Sequence, residues 1–554
     1  MNQELRRKLD RITDILWAGG VTNPVTYIEQ ISYLVYLKLL DEEESARELR
    51  ARLKGKGGNG NGNSLRLYPG DADRFRWSKW RFKSGPALRD FVRDEVFPYM
   101  GNLVETEPQI AEYFRDSVLE IVDPNVLKQV IDEIDGIHFS QLNTDVKGDV
   151  FEYLLTHLGQ AALNGQFRTP PQIRSMMVEM VDPDIGDTIF DPACGTGGFL
   201  IDAVEHILAK YSGDVREVAI YGEEWLEKRG QTIEQAKAVI PTLQTYRKGP
   251  GEKVPDWGVL EASIHGIDVS RPMMRIAMMN LVLHGLRHAN VKRANTLSEM
   301  GGLSEDDLAR KYRVILSNPP FAGTLPKESI RKDLPTNSKK SELLFLSAMM
   351  QALAPGGWCA VIVPEGLLFG STSAHVQLRR KLVEEFELLA VVSLPAGIFK
   401  PYAGVKTGVL VFRRPVESTR KKDGARVWFY EVRADGFDPD RIQGGGRPET
   451  PERNDIPDLL TQWAAYRASR FHDPPGVETG TVLPVGSGEP RCWWAPVDHV
   501  IANEYNLAAG RYKPQTVRED AEEDPARLLR EVEEIEQDIL AGLKELQQRL
   551  KESD

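Results

Sequence analysis

The stretch Thr188 to Leu200, TIFDPACGTGGFL, constrains the fold of this chain more than any other. Its apolar start, Thr188-Ile189-Phe190, reads as a strand end. Asp191 follows, then a turn of small residues (Ala193, Cys194, Gly195, Thr196, Gly197, Gly198), then an apolar helix opening at Phe199 and Leu200. Strand, glycine turn and helix N-terminus in that order are how open α/β sheets hold nucleotide-like molecules at the carboxyl end of a strand. Glycine matters there because a Cβ would keep a ligand off the backbone. Alone, such a turn is equally an ordinary connection. A second stretch narrows the choice. Val314 to Phe321, VILSNPPF, is another apolar strand, and it ends in Asn318-Pro319-Pro320-Phe321.

The pattern around these two stretches predicts an α/β protein with a doubly wound, mostly parallel sheet. Expected strands are Thr188–Phe190, Ser263–Ile267, Val314–Leu316, Trp358–Val363, Leu388–Leu394 and Gly408–Phe412. Helical patterns separate them: Phe199–Lys210, Met273–His284, Glu342–Leu353 and Ala374–Glu385. Residues 1–160 read as a separate all-helical domain. Its apolar run Ile31–Leu40 is expected to be buried, and Gly55–Ser64 (GKGGNGNGNS) to be a surface insertion within it. The sheet domain is assigned to 161–415, with Gly213–Val259 an insertion carrying its own helix (Glu223–Ile240). Residues 416–517 read as a C-terminal extension of that domain, and 518–554 as a final amphipathic helix. There Leu528, Val532, Ile535, Ile539, Leu543, Leu546 and Leu550 follow spacings of 4, 3, 4, 4, 3 and 4, a coiled-coil-like stripe suited to docking on a partner helix.

Composition limits the partners. A formal charge of −12 argues against a free-standing nonspecific nucleic-acid binder, since phosphate contacts need Lys and Arg. It leaves room for a DNA enzyme with a local basic face or with a partner that supplies the grip. No run approaches the roughly 18 apolar residues that span a bilayer, and MNQELRRKLD has no apolar signal core, so no membrane partner and a cytoplasmic location are expected. The three cysteines (Cys194, Cys359, Cys492) form no CxxC, and His284 and His288 lack an HExxH context, so no metal site is expected. There is no GxxxxGK[ST] loop, which sets aside a P-loop motor.

The chemistry of Asn318 to Phe321 follows from its residue types. Each proline fixes φ, offers no N–H and pushes the residue before it toward extended geometry. The result is a rigid loop presenting a side-chain amide oxygen and backbone carbonyls beside an aromatic ring. Such a site suits a planar group with an exocyclic amine: the oxygens accept its hydrogens while the ring of Phe321 stacks on its face.

With these residues in hand, the chain resembles the S-adenosylmethionine-dependent amino-methyltransferases, and among them the modification (M) subunit of type I restriction–modification systems, which methylates adenine N6 in DNA. LWAGG…YIEQISYLVYLKLLDEEE resembles the family's N-terminal helical domain, and GQFRTP its loop ahead of the sheet. DPACGTGGFL resembles its cofactor loop, MNLVLHG the helix after its second strand, and NPPF its catalytic tetrapeptide. The order of these segments is that of the γ class. The resemblance implies a Rossmann-like methyltransferase sheet and S-adenosylmethionine as cofactor. Gln166, Phe167 and Thr169 would close over that cofactor. Asp191 and the loop Ala193, Cys194, Gly195, Thr196 and Gly197 would hold its methionine part. Asp268 would accept from its ribose hydroxyls, and Asn295 would lie against its adenine. Glu223 and Glu224 are rivals to Asp268, because the insertion carries Asp268 far past the usual interval from the glycine loop.

The resemblance further implies Asn318, Pro319, Pro320 and Phe321 as the catalytic set, acting on an adenine flipped out of double-stranded DNA. Partners would be a specificity (S) subunit, two M with one S, and a restriction (R) subunit where a nuclease accompanies them. Two other readings stay open from the residues alone: N-methylation of RNA or of a protein glutamine, and an inactive DNA- or partner-binding scaffold.

Overall fold

The structure, a computed structural model, describes residues 3–53, 67–139, 147–148, 150–155, 169–209, 257–299, 302–321, 323–334, 338–400, 404–416, 424–441, 447–484 and 487–516, together with 536, 537 and 539. The expected Gly55–Ser64 insertion, Gln166, Phe167, Glu223, Glu224 and the heptad stripe other than Ile539 lie outside the described residues.

The first 139 residues supply helices and no strand among those described. The helix Gln3–Ala18 places Leu5, Leu9, Ile12 and Leu16 at helical spacing and buries all four. The run expected to be buried lies within the 30-residue helix Pro24–Leu53, where Ile31, Tyr33, Leu34 and Leu37 are essentially inaccessible. One buried cation inside this module is satisfied by backbone carbonyls. Lys38 Nζ donates to the carbonyls of Ile134, Asp135 and Ile137 (2.9, 2.7 and 2.6 Å), closing the C-terminus of the helix Pro124–Asp135, where carbonyls have no partner within the helix.

The rest is built on a ten-stranded sheet. In chain order its strands are β1 (Ile189–Asp191), β2 (Ile264–Asp268), β3 (Asn290–Arg293), β4 (Tyr312–Ser317), β5 (Leu353–Pro364), β6 (Glu387–Ser393), β7 (Thr407–Arg413), β8 (Arg426–Glu431), β11 (Val477–Glu478) and β13 (Cys492–Pro496). The ribbon β9 (Asp435–Phe437) with β10 (Glu449–Asn454), and the pair β12 (Val482–Leu483) with β14 (Gln515–Thr516), stand outside it. The order across the sheet is β11-β13-β8-β6-β7-β5-β4-β1-β2-β3. Six of its nine pairings are parallel; β7 runs antiparallel to both β5 and β6, and β13 antiparallel to β8.

The sequence reading places six of these strands to within a few residues but omits β3, β8, β11 and β13. β3 is a four-residue edge strand, NVKR, with one fully buried side chain and hence no apolar run to mark it. Beyond residue 415, β8 pairs with β6, and β13 and β11 extend the same sheet.

Both faces of the sheet are covered, and the alternation of strand side chains sorts them. Along β5, Ala360 and Ile362 face one core while Cys359, Val361 and Val363 face the other. The first core is shared with the helices Pro171–Val181, Gly198–Ala209, Arg271–Leu283 and Ile456–Ala468, and it is continuous with the core of the N-terminal helices. The second takes Ser341–Ala352 and Ser373–Glu385.

The two parts are also clasped by charge. Arg275, buried on the helix Arg271–Leu283, donates to Glu29 Oε1 (2.6 Å), to the Tyr113 carbonyl (3.0 Å) and to the Arg115 carbonyl. Arg271 pairs with Asp116, and Arg287 with Glu43. Among the described residues no helix is long and apolar enough to cross a membrane.

Candidate active site

Two adjacent parallel strands build the site. β1 and β4 are in register at Ile189–Val314 and Phe190–Ile315, so the residues that follow each strand leave from the same edge of the sheet. Asp191 closes β1 and Asn318 follows β4. The two strand ends are joined directly: Ser317 Oγ, on the last residue of β4, donates to Asp191 Oδ1 at 2.7 Å, inside the protein.

The turn after β1 is held from several sides. Asp191 Oδ1 also accepts from the Ala193 N–H at 3.0 Å. The Cys194 N–H donates to the Ile267 carbonyl (2.9 Å), tying the turn to β2. Gly195 sits at φ +53° and Gly197 at φ +80°, in the left-handed region where a side chain is strained. Gly197 is further restricted, because a Cβ there would stand 3.4 Å from that of Ala277. At Gly195 nothing else among the described residues lies within 4 Å of the Cβ position, which leaves that side of the turn open to them. The Thr196 carbonyl accepts from Asn280 Nδ2 at 3.0 Å.

Asp268 ends β2 beside this turn. Its Oδ2 accepts from the Gly195 N–H (3.0 Å) and its Oδ1 from the Ser270 N–H (2.7 Å). Burial pushes its carboxyl above the ordinary range, and the two backbone donors oppose that push. Asp191 is affected more. Burial, reinforced by the negative Asp268, raises it to about 7 despite the hydrogen bonds from Ser317 and Ala193. Burial also pushes the Cys194 thiol well up, with both carboxylates adding to the effect, so it is an unreactive loop residue.

The loop after β3 is attached to the same turn. Thr296 Oγ donates to the Pro192 carbonyl at 2.7 Å, and Asn295 Oδ1 accepts from the Leu297 N–H at 3.0 Å. Asn295 is half-buried.

After β4, Asn318 Nδ2 donates to Thr169 Oγ1 at 3.0 Å. Its Oδ1 is buried and has no hydrogen-bond partner among the described residues. A buried carbonyl oxygen without a donor is costly, and such an atom calls for a functional explanation. Pro319 is buried and Pro320 exposed, with the Pro320 carbonyl accepting from Ser341 Oγ at 3.2 Å. Phe321 is largely buried, its ring edge-on to Phe399 at 6.0 Å.

The structure therefore brings together Thr169, Asp191, the turn Ala193–Gly197, Asp268 and the loop after β4, with Asn295 attached through its neighbour Thr296. Thr169, expected to close over a cofactor, holds the side chain of Asn318. The sequence reading missed Ser317, Asn280 and Arg174. The last two carried a visible signal: each is a polar residue among apolar ones on a helix whose neighbouring positions are buried.

This is a site of the methyltransferase kind on an α/β sheet, and comparison with known proteins fixes which. The sequence profile described as N-6 DNA Methylase matches residues 142–237 and 253–521, and the chain belongs to that family. A second profile, HsdM N-terminal domain, matches residues 5–134, the helical part. The methylase subunit of the type I restriction enzyme EcoEI of Escherichia coli is 28% identical over 523 residues, 91% of this chain and 90% of that one. The EcoKI methylase subunit of E. coli K12 is 24% identical over 78% of this chain and 72% of its own length. A solved chain of a type I R-M system superimposes over 100% of this chain and 99% of its own, with TM-score 0.64 and 27% identity. The type I methyltransferase subunit of Streptococcus thermophilus shares the fold (TM-score 0.62, 16% identity, 92% and 99% covered). The chain is a modification subunit of the type I restriction–modification kind and a DNA methyltransferase. Of the readings open from the residues alone, those with RNA or protein glutamine as acceptor are not favoured.

Proposed function

We propose that this chain transfers a methyl group from S-adenosylmethionine to N6 of an adenine flipped out of duplex DNA, and that Asn318 is the residue that receives the adenine amine. The observation that carries the reading is Asn318 Oδ1, buried and without a hydrogen-bond partner among the described residues, directly after β4, whose last residue Ser317 hydrogen-bonds Asp191 at the end of β1, ahead of the glycine turn.

The residues fit the cofactor. An open-sided glycine turn lets a ligand approach the backbone. Asp191 suits the cationic ammonium of the methionine part, and Asp268 suits hydroxyl donors of the ribose. Asn295 is the candidate contact for the adenine ring. The cofactor supplies a methyl carbon bonded to a positive sulfur, a good leaving group.

The chain's own residues do the rest. Adenine's amino lone pair is delocalised into the ring and is weakly nucleophilic. Asn318 Oδ1 and the Pro319 carbonyl accept the two amine hydrogens, which localises the lone pair and aims it. Pro319 and Pro320 keep that loop from adjusting. Phe321, braced edge-on by Phe399, offers its ring to the extruded base and offsets part of the unstacking cost. Catalysis is positioning and electrostatics, with no covalent enzyme intermediate.

Sequence choice belongs to a separate specificity subunit, with two copies of this chain per copy of that partner and a restriction subunit where a nuclease is present. The acidic balance of −12 supports a subunit that borrows its DNA contacts. Methyl transfer from labelled S-adenosylmethionine, measured with and without a specificity subunit, tests the reading. Activity is expected only with the partner. Asn318→Ala is expected to lose transfer while retaining cofactor binding; near-normal turnover in that variant would refute the assignment.

A further inference from the structure

Building on the assignment of Asn318, we infer that Thr169 and Arg174 are positioning residues for the transfer step: they hold the Asn318 amide by its Nδ2 end, so that Oδ1 is left to meet the base. An amide side chain rotates between two orientations of similar energy, one presenting oxygen and the other NH2. Only the oxygen can accept an amine hydrogen, so the inverted amide opposes a donor to a donor.

Thr169 Oγ1 takes the Nδ2 end at 3.0 Å and leaves Oδ1 over. Thr169 is in turn fixed by its own carbonyl, which accepts from Arg174 Nη1 at 3.0 Å in a buried contact. Arg174, 6% exposed, is the anchor. Its Nε and Nη2 donate to the two carboxylate oxygens of Asp202 (2.8 and 3.2 Å), and Glu152 lies 3.7 Å from Nη2. Asp202 belongs to Gly198–Ala209, the helix that opens out of the glycine turn, and the guanidinium lies so close to Gly198 that a Cβ there would come within 2.9 Å of Nε.

A hydrogen-bonded line thus runs from Asp202 through Arg174 and Thr169 to Asn318. It begins on the helix that leaves the cofactor turn and ends on the side chain that receives the base. The line needs the planar fork of arginine, because one group must bond a carboxylate on one side and a backbone carbonyl on another. A lysine in its place keeps the charge opposite Asp202 and loses the fork.

The test uses the full chain assembled with its specificity subunit, labelled S-adenosylmethionine and a DNA carrying the recognised site. Thr169→Val preserves shape and removes the hydroxyl, and it is expected to lower kcat about tenfold, the scale of one well-made hydrogen bond. KM for DNA and the dissociation constant for S-adenosylmethionine are expected to stay within threefold. Thr169→Ser is expected to restore kcat. Arg174→Lys is expected to lower kcat as Thr169→Val does, with the thermal midpoint kept. The inference is overturned if Thr169→Val turns over within twofold of the native chain. It is equally overturned if its loss is wholly one of cofactor affinity, which would make Thr169 a cofactor contact and nothing more. Asn318→Ala in the same assay separates the two claims. An inactive Asn318→Ala beside a normal Thr169→Val overturns the positioning role alone, whereas an active Asn318→Ala overturns the assignment on which it rests.

Discussion

Asp191 carries two kinds of consequence in one carboxyl group. Its pKa is raised to about 7, chiefly by burial, so near neutrality the unliganded chain holds this residue about half protonated. A cationic ligand group favours the ionised form, so binding must expel that proton below pH 7. Affinity for S-adenosylmethionine is therefore expected to strengthen as pH rises from about 5 to 7, by up to about tenfold per unit, and to level off above. Titration calorimetry across that range would show it, and Asp191→Asn should flatten the profile. Stability runs with the opposite sign. Because the folded pKa is raised, the neutral carboxyl's contribution is complete below about pH 4 and is lost as pH climbs through about 7, so Asp191→Asn should gain on the native chain across that window. The place of Asp191 beside the glycine turn could be anticipated because it ends a strand before that turn. Its partner Ser317 could not, since nothing local marks a serine whose acceptor lies 126 residues away. The same holds for Thr169 and Asn318, 149 residues apart.

Among the elements, the glycine turn is the most exacting. Gly197 combines a left-handed backbone with a close approach to Ala277, so Gly197→Ala is expected to cost about 1–3 kcal/mol. Denaturant titration would measure it, and cofactor affinity should fall with it because Gly195 and Thr196 share the turn. The strand-turn-helix pattern made this element legible, as did the apolar runs of β5, β6 and β7, whose side chains are buried on both faces. β3 was not legible: it is a strand by its pairing with β2 rather than by its own residues. β8 has a clear buried run, Val427-Trp428-Phe429-Tyr430, but it follows a basic stretch and has no crossover of the α/β kind beyond it, so the alternation that reveals the other strands gives no guide.

In the molecule as a whole, the helix Arg271–Leu283 links the catalytic sheet to the N-terminal helices. Ser270, which caps it, also holds Asp268; Asn280 near its other end holds the Thr196 carbonyl; Arg275 between them grips Glu29 and the Tyr113–Arg115 backbone. Arg275→Ala would leave Glu29 and those carbonyls without their buried cation, a loss of about 3–5 kcal/mol. Scanning calorimetry of that variant should show a lower midpoint and, if the clasp is what couples the parts, a transition split in two where the native chain shows one. The consequence reaches past stability. A helix gripped at both ends and the middle ties the N-terminal helices to the Asp268 carboxylate and the glycine turn, so a partner that displaces those helices is expected to displace both. On the proposed site assignment, whatever seats this chain on its complex is expected to tune the grip on the methyl donor without touching it.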